Sequence, residues 1–130
     1  NVKWWDEVDV ISSSGYYPID KWEQELDRIE IVVKKYNKPF FFAEIGCMST
    51  SNSMYTPNNW NITGEINLEE QERWYETMFL ACRKREWING FVIWDWKGYQ
   101  YDRKDANVDG GYNVFEKPAV KVIKKYYSIF

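Results

Sequence analysis

The 130-residue sequence predicts an α/β protein built on a parallel sheet. Three observations predict it. Three short apolar runs are each followed by a stretch in which apolar residues keep helical spacing. The long loops fall only on the strand-to-helix side, as expected where crossovers join parallel strands. The middle run, Phe40-Phe41-Phe42-Ala43-Glu44-Ile45, is apolar on both faces, as a strand buried inside a parallel sheet requires. The length fits one domain, residues 1–130, with enough chain to bury a core.

The first strand is expected at Val8 to Ser13, followed by a Ser12-Ser13-Ser14-Gly15 loop and Tyr16-Tyr17-Pro18. A helix should start with Asp20 as N-cap and Glu23 in the capping-box position. Its apolar face is Trp22, Leu26, Ile29, Val33 and Tyr36, and Asn37 with Pro39 ends it. The Phe40 to Ile45 strand follows, with Phe40, Phe42 and Glu44 assigned to one face by simple alternation. A polar loop then runs from about Gly46 to Ile66, and its length marks a functional loop. Asn67, with Glu70 three residues on, opens a helix that packs through Tyr75, Met78, Phe79 and Cys82. Asn89-Gly90 should turn into a third strand, Phe91 to Trp96. A second long loop, Lys97 to about Glu116, is rich in Asp and Gly. Pro118 near N1 begins the last helix, whose face is Ala119, Val122, Ile123, Tyr126 and Tyr127.

Composition removes several chemistries. There is no histidine, so a Ser-His-Asp triad, a Cys-His dyad and a His-ligated zinc site are impossible within the chain. Basic residues number 17 against 20 acidic ones, which disfavours nucleic acid as a partner. No apolar stretch approaches the roughly 18 residues a membrane span needs. No basic-then-apolar signal opens the chain, which leaves the compartment open with the cytoplasm slightly favoured. The opening Asn1-Val2-Lys3-Trp4-Trp5 lacks an initiator Met and reads as part of something longer. Cys47 and Cys82 fit neither a zinc spacing nor a disulfide framework. No GxGxxG or P-loop follows any strand, so a nucleotide fold lacks support.

Aromatic residues make 19% of the chain. Aromatic faces beside carboxylates suit neutral polyhydroxyl ligands, so a carbohydrate is the expected partner and no cofactor is expected. Glu44 is the main catalytic candidate, because a carboxylate ending an apolar strand costs free energy unless paired or used. A structural ion pair and a nucleophile or base are both open at this point. Glycoside hydrolysis is the natural chemistry for a carboxylate among aromatics, and it needs two carboxyls. Trp94 and Trp96 share a face by alternation and are candidate sugar platforms. Trp60, in the long loop, is a third, and Tyr16 is placed to hydrogen-bond Glu44. Asp95 should point toward the helices. Asp105-Ala106-Asn107-Val108-Asp109-Gly110, with Glu116, matches the EF-hand loop pattern. Its context is wrong, because Pro118 starts a helix where Glu116 should already lie inside one, so no metal is expected. Asn61-Ile62-Thr63 fits a glycosylation sequon, with nothing else secretory beside it.

Several segments together resemble a known family. Val8-Asp9-Val10-Ile11 leading to Tyr16-Tyr17-Pro18-Ile19 resembles the sixth strand and loop of clan A glycoside hydrolases, closest to the mannanase-like family 113. Lys38 to Gly46 is similar to their seventh strand, Glu70-Gln71 ahead of Trp74-Tyr75-Glu76 to the next helix, and Gly90 to Trp96 to the eighth strand. Gly111-Tyr112 through Lys117-Pro118-Ala119 resembles the closing stretch. The resemblance implies the C-terminal portion of a TIM (β/α)8 barrel, about three βα units corresponding to strands 6–8. It implies retaining hydrolysis of a β-linked glycan, mannan or another β-1,4-glycan such as xylan, with Glu44 as nucleophile, Tyr16 orienting it, and Trp94 or Trp96 stacking on sugar. The clan's acid/base, a Glu on the fourth strand, has no counterpart here. The chain alone is therefore expected to be inactive or nearly so. Its unpaired sheet edges predict a homo-oligomer. A non-catalytic carbohydrate-binding or self-associating half-barrel is the alternative.

Overall fold

The computed structural model describes residues 2–61, 64–97 and 101–128. Ile62 and Thr63 of the sequon, and residues 98–100 of the second long loop, lie outside the described residues. The strands are β1 (Ile11–Gly15), β2 (Phe40–Ile45) and β3 (Ile88–Ile93), and the helices are α1 (Trp22–Tyr36), α2 (Leu68–Cys82), α3 (Arg103–Ala106) and α4 (Ala119–Tyr127). The sheet runs β1-β2-β3, all parallel.

One face of the sheet carries the core. Phe40, Phe42 and Ile45 are buried there against Trp22 and Leu26 of α1 and Trp74, Met78 and Phe79 of α2. The Phe42 ring lies 5.7 Å from Trp22 and stacks on Phe91 of β3 at 5.9 Å, and Trp22 meets Trp74 edge-on at 5.4 Å. Burial of each such ring stabilises by about 2–3 kcal/mol. α4 packs on α2 through Tyr126, stacked on Phe79 at 5.0 Å. Arg85, just after α2, pairs with Glu23, Asp27 and Glu30 of α1 and ties the two helices together at their rims. Cys47 and Cys82 are separate buried thiols. Among the described residues no helix is long and apolar enough to cross a membrane.

Four sequence expectations are corrected. The serine segment is not a loop: β1 begins at Ile11, whose N–H donates to Pro39 O, and Ser12 to Ser14 pair along β2. Backbone pairing with an established neighbour overrides the weak strand propensity of serine. Gly15 closes the strand where a Cβ would meet the Phe42 ring at 2.8 Å. Second, Asp20 does not cap α1. Lys21 N–H donates to Pro18 O, making a turn that leads straight into the helix, and the Asp20 carboxylate pairs with Lys21. The other end follows expectation, with Asn37 in the left-handed region at φ 50°.

Third, Asn89-Gly90 is inside β3, not a turn before it. The turn falls at residues 83–87, and Asn89 Oδ1 accepts the Phe40 N–H, so its side chain stands in for a ladder carbonyl. β3 also ends early, at Ile93. Trp94 N–H makes the last bond to β2, to Ile45 O at 2.7 Å, and Asp95 then pairs with Tyr112 and Val114. Trp94–Asp95 is a cis peptide. Fourth, Glu44 does not share a face with Phe40 and Phe42. Ser13 pairs with Phe42 but Ser14 with Glu44, so Ala43 is a bulge residue and the alternation slips by one.

Candidate active site

The bulge places Glu44 on the sheet face away from the helices. Ala43 is exposed, Glu44 half-buried, and Ile45 returns to the core. Because Gly15 pairs with Ile45, Tyr16 leaves β1 beside the same strand end. Its hydroxyl is buried close to the Glu44 carboxylate, without the geometry of a formed hydrogen bond. Burial first, and then the negative charge of Glu44, push the Tyr16 hydroxyl well above the ordinary phenol pKa.

Aromatic rings surround this point. Tyr16 lies 6.0 Å from Tyr112 and 6.2 Å from Trp60, Trp60 lies 4.9 Å from Tyr112, and Trp60 meets Trp94 edge-on at 5.8 Å. Trp60 and Trp94 remain 57% and 41% exposed, so they present open faces rather than filling the core. Trp96 goes elsewhere. Among the described residues its ring partner is Phe115, at 6.2 Å, and it lines a separate groove. The structure therefore brings together Glu44, Tyr16, Trp60 and Trp94, and leaves Trp96 outside the group. Asp95 lies near the site, close enough for its charge to act on Tyr16.

Four supporting residues stand in the family-like segments, but the sequence gives them no role. Tyr112 is buried, and its hydroxyl donates to Pro57 O at 2.6 Å, holding the loop that carries Trp60. Gln71, wholly buried on α2, donates through Nε2 to Cys47 O and Tyr112 O, joining the segments after β2 and β3. Lys117, whose side chain is fully buried, donates to Ser49 Oγ at 2.8 Å and to Gly111 O at 3.0 Å. Burial lowers the Lys117 pKa to about 8, with the Asp109 charge opposing that shift. Gly46 completes the support: a Cβ there would sit 2.0 Å from Trp94 O, so only glycine lets the two strand ends meet. A buried lysine between Glu116 and Pro118 carries no local signal, whereas Gly-Gly-Tyr112 at the end of a polar loop is a usable hint.

The EF-hand-like stretch is used differently. Asp109 accepts from Tyr101 Oη and Gly111 N–H and lies 3.5 and 3.7 Å from Lys97 and Lys117. Although burial works the other way, the Gly111 hydrogen bond and the lysine charges hold its carboxyl below the usual range. Glu116 points from a left-handed backbone at φ 60°. Among the described residues no group of three or more acidic, cysteine or histidine side chains is placed to hold a metal ion.

The sequence model of Glycoside Hydrolase Family 113 matches residues 1–117. The solved complex of a GH113 β-1,4-mannanase is 56% identical, with a TM-score of 0.94, over 98% of this chain and 41% of that one. A GH113 β-mannanase from Alicyclobacillus acidocaldarius, in complex with ManMIm, is 40% identical, with a TM-score of 0.91, over 99% of this chain and 42% of that one. At 17% identity and a TM-score of 0.64, a β-glucuronidase from Bifidobacterium dentium shares the fold over 95% of this chain. No curated protein matches the chain. The chain thus spans about two fifths of the length of the GH113 enzymes it resembles, and its three parallel strands are part of their (β/α)8 barrel.

Proposed function

The chain belongs to glycoside hydrolase family 113, and on that premise we propose that residues 1–130 supply the C-terminal part of a retaining glycosidase acting on β-1,4-mannan or a related β-1,4-glycan. One observation carries this reading: the Glu44 carboxylate ends a parallel strand on the open face, beside Tyr16 and within reach of the exposed Trp60–Trp94 pair. Barrel enzymes place their chemistry at such strand ends.

In this reading a Glu44 oxygen attacks the anomeric carbon while the glycosidic C–O bond breaks. The electron pair leaves on the aglycone oxygen, which takes a proton from a second carboxylic acid. Water then attacks the glycosyl–Glu44 ester, giving up its proton to the same second carboxyl and releasing sugar with retained configuration. Tyr16 sets its hydroxyl beside the Glu44 carboxylate, and Trp60 and Trp94 floor the sugar. The second carboxyl is assigned outside these residues. Retaining geometry demands a partner at about 5–5.5 Å.

The unpaired edges of β1 and β3, and an open sheet face bearing the 51%-exposed Val92, favour a second reading. In it the chain is a self-associating half-barrel that binds glycan without cleaving it. Purified chain incubated with unactivated β-mannan tests the assignment of the acid outside the chain. The expected result is no turnover above background, and hydrolysis at an ordinary enzymatic rate overturns it.

A further inference from the structure

The groove that takes Trp96 is unlike the Glu44 site in charge. It encloses about 280 Å³ between the segment after β3 and the start of α4, with walls of Trp96, Phe115, Arg103, Lys121 and Lys124. In a chain of net charge −3, this wall concentrates three cations. Among the described residues none of the three has a carboxylate within ion-pair distance, and the neighbouring Lys104 is the one that pairs with Asp102. Glu116 is the single carboxylate on the wall, and the buried Lys117 behind it is already committed to Ser49 and Gly111. The positive end of α4 opens on the same side through Pro118 and Val120, adding to the field of the cations.

Two aromatic rings complete the wall. Trp96 is 48% exposed and packs on Phe115 at 67°, leaving indole surface toward the groove. Trp94 and Trp96 are two residues apart, so their Cα atoms are separated by no more than about 7 Å. The groove therefore begins two residues along the chain from Trp94. A ligand held there has an apolar ring face for the indole and an anionic group for a guanidinium and two ammonium ions. A uronic acid residue has both features.

We propose that this groove is a subsite for an acidic sugar, a uronate unit within or attached to the glycan chain, with Arg103 and Lys121 engaging its carboxylate and Trp96 stacking on its ring. The proposal rests on the glycan reading of the Glu44 site. The test titrates the chain with three ligands: β-1,4-mannotetraose, the same tetraose with a terminal residue oxidised at C6 to uronate (each end in turn), and inorganic phosphate. Affinity is read from tryptophan indole signals in two-dimensional NMR. One uronate isomer is expected to bind about tenfold tighter than the neutral tetraose at low salt, as one added charge-assisted contact gives. Salt at about 0.5 M should erase most of that advantage, and the Arg103→Ala/Lys121→Ala variant should reduce the ratio between the two ligands to about one. Equal affinity for charged and neutral tetraose in the unaltered chain overturns the proposal while leaving the glycan reading intact. Failure of both tetraoses to bind defeats the glycan reading itself, and the proposal with it. Phosphate that displaces the uronate ligand at equal concentration marks a general anion site and overturns the saccharide assignment.

Discussion

Phe42 and Glu44 are two residues apart on β2 and face opposite sides of the sheet. Phe42 is wholly buried under Trp22, while Glu44 stands half-buried on the open face, because Ala43 adds one residue between the Ser13–Phe42 and Ser14–Glu44 pairings. A regular strand would drive the carboxylate into an aromatic core at a cost of several kcal/mol. The bulge turns a packing conflict into a carboxylate presented on the open face.

The strand ends that frame Glu44 meet through Gly46. Gly46→Ala places a Cβ 2.0 Å from Trp94 O, a backbone atom that cannot swing away. The expected cost is on the order of 3 kcal/mol or more, visible as a lower urea midpoint. Trp94 fluorescence should change with it, since the residue that shifts carries the indole.

Tyr16→Phe separates positioning from stability. The Tyr16 hydroxyl is buried without a formed hydrogen bond, so its removal should change stability by less than about 1 kcal/mol. Reaction at Glu44 with an activated glycoside should nevertheless slow by about tenfold to a hundredfold. A stability loss without a rate loss would make Tyr16 a packing residue.

Much of this arrangement was legible in the sequence. The three βα units, the Phe40 to Ile45 strand, the Asn67 cap and the grouping of Tyr16 with Glu44 follow from apolar spacing, cap chemistry and family resemblance. Asn67 does accept the Glu70 N–H, although the Glu70 carboxylate turns to Asn52 N–H in the long loop instead of back to the cap. The facing of Glu44 was not legible, because a bulge is decided by how two strands register and leaves no mark in a run of apolar residues. β1 was misread for a related reason: the strand character of Ser12 to Ser14 comes from β2. Alternation placed Trp94 and Trp96 together, and that failed when β3 ended at Ile93. The Lys117–Ser49–Gly111 link joins positions 68 residues apart, beyond any local pattern.

Stability should respond to alkali in two opposed ways. Lys117 titrates at about 8 in the folded chain, below the ordinary 10.5. From pH 8 to 10.5 the unfolded chain holds a proton that the folded chain lacks, so Lys117 adds stability as pH rises. Cys47 and Tyr112, pushed up to about 12 by burial, act in reverse, as do the raised Cys82, Tyr16 and Tyr75. Above pH 9 for thiols and 10 for phenols, unfolding releases protons that folding retains, and stability falls. Five groups outweigh one lysine. The melting temperature should peak near pH 8–9 and drop steeply above pH 10, and a continuous rise through pH 11 would contradict this account.

Among the described residues the outer edges of β1 and β3 are unpaired, and they should drive association of the isolated chain. Multi-angle light scattering is expected to give a mass at least twice 15.7 kDa, falling when edge pairing is blocked by proline in β3. A monomer at high concentration would show that the open face is tolerated in water.

The proposed role of Glu44 as nucleophile is testable without the second carboxyl. A 2,4-dinitrophenyl β-mannoside has a leaving group that departs as a phenolate and needs no protonation, so the first step requires Glu44 alone. Incubation should release one equivalent of dinitrophenolate per chain and leave one mannosyl unit in ester linkage on the peptide carrying Glu44, identified by mass spectrometry, and Glu44→Gln should abolish both. A mannosyl label on any other carboxylate, or an equal burst from the Glu44→Gln chain, would contradict the assignment.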